Sequence, residues 1–345
     1  MKAYKGFDKD LKCRGFQYES GKEYEEEESK LCKIGFHACE NPLDTFRYYR
    51  PTDSRYCEVD VADNGERNSE DTKICGKHIK IGAEIGLKGV INAGVRFVFD
   101  KCESATEENA SGWRGNAAAS GWRGNAAASG DLGNAAASGD LGNAAASGDL
   151  GNAAASGWRG NAAASGWRGN AAASGERGNA AASGESGNAA ASGERGNAAA
   201  SGDLGNAASS GENGNAAASG ESGNAAASGD LGNAAASGDL GNAAASGERG
   251  NAASSGWRGN AAASGKRGTA IASGKEGRAV ADGEQCLAVA WGKDSWAKGN
   301  VGNWIVVSEH DYDGNIIDAK IAKVDGDTIK ADTWYKLVNG EIMEA

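Results

Sequence analysis

From Ser111 to Ala290 the chain reads as twenty consecutive copies of one nine-residue phrase, Ser-Gly-x-x-Gly-Asn-Ala-Ala-Ala. No other feature constrains the fold as tightly. A nine-residue unit cannot bury a core alone, so copies must stack on one another and form a quasi-one-dimensional solenoid. The same regularity argues against an active site inside the array, because catalysis needs unlike groups at one place. The chain has 345 residues, with 55 Gly and only 2 Pro. Glycine-rich composition often signals disorder, but here the glycines keep a strict period and read as turns.

Let the phrase be numbered one to nine from its Ser. Gly at two and five brackets a variable pair, and Gly-x-x-Gly is turn chemistry. Asn-Ala-Ala-Ala-Ser is then a short strand. Alanine favours helix intrinsically, but five residues between glycines cannot nucleate one. Stacking decides instead, with rungs hydrogen-bonded about 4.8 Å apart. Nine residues are too few to close a coil, and three copies would enclose an interior too wide for Ala to fill. Two copies per coil, or about eighteen residues, give a flat two-sided roll. Strand alternation puts positions seven and nine on one side and six, eight and one on the other. Late copies change to Thr269-Ala270-Ile271-Ala272, Arg278-Ala279-Val280-Ala281 and Leu287-Ala288-Val289-Ala290. Seven and nine stay small, which places them inside. Ser209 and Ser254 stand at position nine and therefore require buried hydrogen-bond partners.

Positions six, eight and one then make broad flat faces of Asn, Ala and Ser. Such faces serve as solvated spacers or as packing surfaces for another roll. The variable pairs lie on the two long edges, where the candidate binding residues are Trp113, Arg114, Trp122, Arg123, Trp158, Arg159, Trp167, Arg168, Trp257 and Arg258. They do not align into one stripe, which argues against a continuous stacking track for sugars or bases. A calcium β-roll repeats Gly-Gly-x-Gly-x-Asp; this phrase lacks that ligand spacing, so neither metal nor cofactor is expected in the array. The net charge of −11 argues against a partner held by its phosphates.

The end of the array, Gly268 to Gly274, Gly277 to Gly283 and Cys286 to Gly292, resembles the head repeats of trimeric autotransporter adhesins. That resemblance implies a left-handed β-roll and a trimer.

The flanks read as ordinary globular sequence. Ala3 to Phe7 opens a strand, and Asn41-Pro42 caps a short helix from Leu43 to Tyr49, ended by Pro51. Arg55 to Val61 alternate with Cys57, Val59 and Val61 on one face, and Ile79 and Ile81 continue the sheet. Ile85 to Phe99 spaces Leu87, Ile91, Val95 and Phe99 as a helix expected to cover the open first rung. Glu25 to Glu28 reads as a solvated turn. After the array, Trp304 to Val307, Ile316 to Val324 and Trp334 to Leu337 read as strands, with turns at Asp313-Gly314, Asp325-Gly326 and Asn339-Gly340. They are expected to close the far end.

Lys5 to Phe7, Cys13 to Tyr18, Gly35 to Cys39, the nonapeptides and the Trp304-Ile-Val-Val and Val324-Asp-Gly-Asp-Thr-Ile-Lys segments together resemble a phage and gut-bacterial repeat family of unknown function. The resemblance implies a phage or prophage context and no activity.

Three constellations in the front region are candidates for chemistry. Cys32, His37, Cys39, Cys75 and His78 are possible zinc ligands, though their spacing matches no usual site and core thiols account for them equally. His37 and Cys39 are a candidate nucleophile pair, but a two-residue offset on a strand also puts both on one face for packing. Tyr4-Lys5-Gly6 followed by Gly35-Phe36-His37 resembles the order of parts in ADP-ribosyltransferase-like folds, which implies an NAD pocket between those strands. Six of the seven Cys precede the array, and in a reducing compartment they are expected to be thiols.

These readings predict a mainly β chain: an α+β domain over 1–103, a two-sided β-solenoid over 104–290 and a β-rich cap over 291–345. The expected function is a non-enzymatic, elongated repeat scaffold or binding protein, self-associating as a dimer or trimer or holding an unidentified host protein. No nucleic acid, membrane or cofactor is expected. The opening Met1 to Phe7 has no apolar signal-peptide run, so a cytoplasmic location is expected. The alternative is an ADP-ribosyltransferase-like, NAD-linked enzyme carried on the solenoid.

Overall fold

The computed structural model describes residues 1–68, 71–102, 109–111, 115–120 and 122–344, with backbone alone for 99–102 and 109–111. They fall into two compact units, Met1–Ser174 and Gly175–Ala345.

The front of the first unit holds β1 (Lys2–Asp8), β2 (Lys12–Cys13), β3 (Phe16–Gln17), β4 (Glu23–Glu25), β5 (Phe36–Cys39), β6 (Ser54–Asp63) and β7 (Lys73–Glu84). Long β7 takes β4 and β5 on one edge and β6 on the other. β1 pairs along its whole length with β6, from Lys2↔Asp60 to Asp8↔Ser54, and meets β5 at Tyr4 and Cys39. Four strands, β1, β6, β7 and β5, therefore close on themselves around Phe7, Phe36, Val59, Val61, Ile74, Ile79 and Ile81. The alternation expected for Cys57, Val59 and Val61 is observed, with Glu58 and Asp60 outside. The short helix is a 3-10 helix, Pro42–Arg47, and the Asn41 side chain accepts from the Leu43 N–H as its cap. Of the acidic run, Glu25 ends β4, while Glu26, Glu27 and Glu28 are exposed.

Helix α1 (Leu87–Cys102) corrects one expectation. It was expected to plug the first rung. Instead it lies across the outer face of one sheet, packed on strands Asn116–Ser120, Asn134–Ser138, Asn152–Ser156 and Asn170–Ser174. Val90, Ile91, Val95 and Val98 are buried, while the Phe99 side chain lies outside the described residues. The physical reason is the face itself. Position eight is alanine in every covered copy, so an apolar helical stripe finds a flat floor of methyl groups. Ala136, Ala154 and Ala172 are fully buried beneath it. Gly94 permits the approach from the other side, since a Cβ there would lie 2.7 Å from the Leu43 Cγ.

The repeats form a β-solenoid of about 11 turns, some 18 residues apart, counted along the chain from residue 116 to residue 307. Strands one coil apart pair in parallel and in register, as Asn143↔Asn125 through Ser147↔Ser129. Positions seven and nine point inward on both sheets, as Ala144 and Ala146 show on one and Ala243 and Ala245 on the other. Ser209 and Ser254 find the partners they need: Ser209 Oγ donates to the Gly196 carbonyl at 2.9 Å and Ser254 Oγ to the Gly241 carbonyl at 3.0 Å. Gly at position two is forced by stacking. At Gly157, with φ +143°, a Cβ would fall 1.8 Å from the Gly139 carbonyl oxygen of the preceding coil. Asn at position six forms an amide ladder. Asn143 Nδ2 donates to Asn125 Oδ1 at 2.9 Å, and Asn161 Nδ2 repeats this to Asn143 at 2.9 Å.

The coil outlasts the strict phrase. Trp296–Gly299 and Trp304–Val307 stack in parallel on the last repeat strands. Here larger residues replace Gly at position five and bond inward, with Ser295 Oγ donating to the Gly274 carbonyl at 2.9 Å. The expected hairpins follow. Trp304–His310 pairs antiparallel with Ile316–Lys323, and Tyr335–Val338 with Glu341–Glu344. Each hairpin ends one sheet of the second unit.

Candidate functional site

Two features of the first unit have the character of sites: an open repeat face and a cavity in the front sheet. The open face belongs to the sheet opposite α1. There Asn125, Ala127 and Ser129 alternate outward, followed by Asn143, Ala145 and Ser147, then Asn161, Ala163 and Ser165. The second unit shows the same outward pattern at Asn197, Ala199 and Ser201 and at Asn215, Ala217 and Ser219. The covered sheet of the first unit carries the same residues under a load. Asn41 Nδ2 donates to Asn152 Oδ1 at 3.4 Å, and Asn170 Nδ2 donates to Asp44 Oδ1 at 3.3 Å. The position-six asparagines therefore supply polar contacts to whatever packs on a repeat face.

The aromatic edge residues lie on exposed turns, as expected. Trp122, Trp158, Trp167 and Trp257 are all exposed, Trp122 most at 69%. Trp113 and Arg114 lie outside the described residues. The eighteen-residue coil puts Trp122 and Trp158 on one edge and Trp167 on the other. Arg258 stacks on its own neighbour Trp257, 4.4 Å from the ring centroid, and its Nε donates to Glu276 at 2.7 Å. Arg159 lies 5.6 Å from the Trp158 ring. The Arg168 carbonyl accepts from Arg47 Nη2 at 3.2 Å. Arg123 is exposed. Within the first unit the described pairs are divided between the two edges.

The cavity has a volume of 370 Å³ and lies where β1 and β5 run side by side. Tyr4, Lys5 and Gly6 form one wall and Gly35, Phe36 and His37 another, so the two segments paired by the ADP-ribosyltransferase resemblance line a common space. Lys5 is 5% exposed. Its Nζ donates to the His37 carbonyl at 2.8 Å and lies 5.8 Å from the Tyr18 ring centroid. Burial pushes this ammonium below the usual lysine range, with the nearby Cys13 and Cys39 sulfurs acting the other way. Lys73 Nζ sits 3.5 Å from the Tyr48 ring centroid, and the Tyr48 hydroxyl donates to Asp71. Glu26, exposed, is the carboxylate among the described lining residues.

His37 and Cys39 do not form a nucleophile pair. The His37 Nε2 accepts from the Cys32 N–H at 2.9 Å, so its lone pair is committed, and burial and Lys5 hold the ring below the usual histidine range. Burial pushes the Cys39 thiol well up, away from thiolate. The five zinc candidates also part company. His78 faces Glu23 at 3.4 Å, and the Cys75 thiol donates to the Ile34 carbonyl at 3.3 Å. Among the described residues no group of three or more potential ligands is set to hold a metal ion. Cys13, Cys32, Cys39, Cys57, Cys75 and Cys286 are free thiols.

The resemblance put Lys5 beside a pocket, but its burial was not drawn from the sequence, although a signal was present. Ala3, Lys5 and Phe7 share the inward face of β1, and a lysine at an apolar period-two position is a buried charge.

Residues 1–93 match a family described as a domain of unknown function (DUF7666). The match takes in the closed sheet and the cavity and stops before the repeats. No curated protein and no solved structure matches the chain. Among the described residues no helix is long and apolar enough to cross a membrane.

Proposed function

We propose that the chain is a non-enzymatic repeat scaffold that self-associates through its open Asn/Ala/Ser faces. One observation carries this reading. The same repeat surface is packed against α1 on one sheet of the first unit, with Ala154 fully buried, and stands bare on the other, with Ala145 exposed. The molecule thus contains its own example of what the face accepts: a small-residue floor for apolar contact and an asparagine row for hydrogen bonds. A second copy offers a matching flat face. The exposed Trp-Arg turns are secondary contacts for the same assembly. The likeness of Lys5–Phe7, Gly35–Cys39 and Trp304–Val307 to phage and gut-bacterial repeat proteins supports a phage or prophage setting and a cytoplasmic site of action.

The NAD-linked alternative gains nothing from the cavity. Glu26 is exposed at the lining, and the buried Lys5 puts a cation in the wall of the pocket where the resemblance would seat a positively charged nicotinamide ring. Light scattering over a concentration series tests the scaffold reading. Assembly that grows with concentration is expected, and a strict monomer at high concentration counts against it.

A further inference from the structure

We infer that the cavity between β1 and β5 is a binding site for a small aromatic anion, a flat ring carrying one carboxylate or phosphate. This is independent of the scaffold reading. It begins with an imbalance of charge. Lys5 is buried to more than nine-tenths, and among the described residues no carboxylate pairs with it; its Nζ donates to the neutral His37 carbonyl at 2.8 Å and lies beside the Cys13 thiol. A buried ammonium is costly unless an anion compensates it. Lys73 and Arg14 line the same cavity, against the single exposed Glu26. The lining is therefore cationic although the whole chain is strongly acidic at −11.

The rest of the wall is aromatic. Phe16, Tyr18 and Phe36 form an edge-to-face cluster, with the Phe16 and Tyr18 centroids 4.9 Å apart and those of Tyr18 and Phe36 6.4 Å apart. Tyr49 closes the opposite side over Gly6, where a Cβ would fall 2.6 Å from the Tyr49 ring. Rings so placed present faces and edges to a planar guest. The 370 Å³ volume lies at the small end of small-molecule sites, which favours one ring over a dinucleotide. The acidic group meets Lys5 and Lys73, and the ring lies among Phe16, Tyr18, Phe36 and Tyr49.

Isothermal titration of the full chain with phenyl phosphate, benzoate, inorganic phosphate and phenol tests this. At least one aromatic anion is expected to bind about tenfold or more tighter than both inorganic phosphate and phenol. Lys5→Met is expected to weaken it by about tenfold or more, the loss of one charge-assisted hydrogen bond. Lys73→Met, at a half-exposed position that should not disturb folding, is expected to weaken it by about threefold or more. The aryl phosphate and aryl carboxylate arms separate the two sources of charge. Binding by neither aromatic anion overturns the assignment, and so does inorganic phosphate or phenol binding as tightly as they do. Unchanged affinity in a natively folded Lys5→Met overturns it as well. Should Lys5→Met fail to fold, unchanged affinity in Lys73→Met overturns it.

Discussion

Ser209 Oγ donates to the Gly196 carbonyl at 2.9 Å inside the coil. The same carbonyl also accepts the Asn215 backbone N–H at 3.1 Å, so the hydroxyl is a second donor to an acceptor already satisfied. Ser209→Ala should therefore change stability by less than about 1 kcal/mol. Gly214→Ala should cost more, at least about 2 kcal/mol, because its new Cβ would lie 2.1 Å from that hydroxyl oxygen. The double variant should recover part of the loss, since only the serine oxygen stands that close. Urea denaturation of the four members of this cycle checks the coupling; strict additivity would contradict it.

Position two is the least replaceable position of the phrase. Gly157→Ala meets the Gly139 carbonyl oxygen at 1.8 Å from a φ of +143°, so two costs act together. A loss above about 3 kcal/mol is expected. Leu204→Ala, on an exposed turn at 51%, should stay within about 0.5 kcal/mol. Thermal melts of both variants check the contrast.

The two sheets of the first unit should answer the same substitution differently. Ala154→Glu puts a charge beneath α1 and should destabilise the chain by more than about 3 kcal/mol. Ala145→Glu, on the open face, should leave the melt within about 1 kcal/mol. Combined with Ala163→Glu it should also abolish concentration-dependent assembly, which sedimentation velocity reads directly.

Acidity should act through Asp44. This carboxylate is buried, and burial raises its pKa although Arg47 and hydrogen bonds from Thr72 oppose the shift. The folded chain thus holds the proton more tightly than the unfolded chain. Its contribution to stability is fully present below the ordinary Asp pKa and is lost as pH rises through the raised folded value. Measured against Asp44→Asn by chemical denaturation, the native chain should lose relative stability as pH rises above the ordinary Asp range of about 4; a gain would contradict the upward shift that burial imposes on Asp44.

The array was legible because its period, its glycines and its late substitutions all point to one solution. Ile271 and Val280 at position eight disclosed the outer side, and Ala270, Ala272, Ala279 and Ala281 are fully buried as that side requires. The fate of α1 was not legible. A stripe of Leu87, Ile91 and Val95 announces that a helix must cover something, but an open coil end and a flat alanine floor are both apolar. Periodicity does not choose between them. The place of the cavity was legible in the pairing of Tyr4–Gly6 with Gly35–His37, but its charge and its aromatic walls were not. Lys5, Lys73 and Tyr49 are distant in sequence and meet only because β1, the start of β7 and the segment after the 3-10 helix converge. The local sign of its buried charge was a lysine in register with Ala3 and Phe7.

Removal of one whole coil tests the central claim most directly, that the array is a scaffold of interchangeable eighteen-residue turns. Deleting Ser183 through Ala200 joins Ala182 to Ser201 and preserves both the phrase and the alternation of sheets. The shortened chain should keep its β circular-dichroism spectrum and one cooperative melt within about 3 °C of the original, as expected where each coil contacts only its neighbours. Loss of the folded spectrum, or a melt lowered far beyond that, would contradict the account.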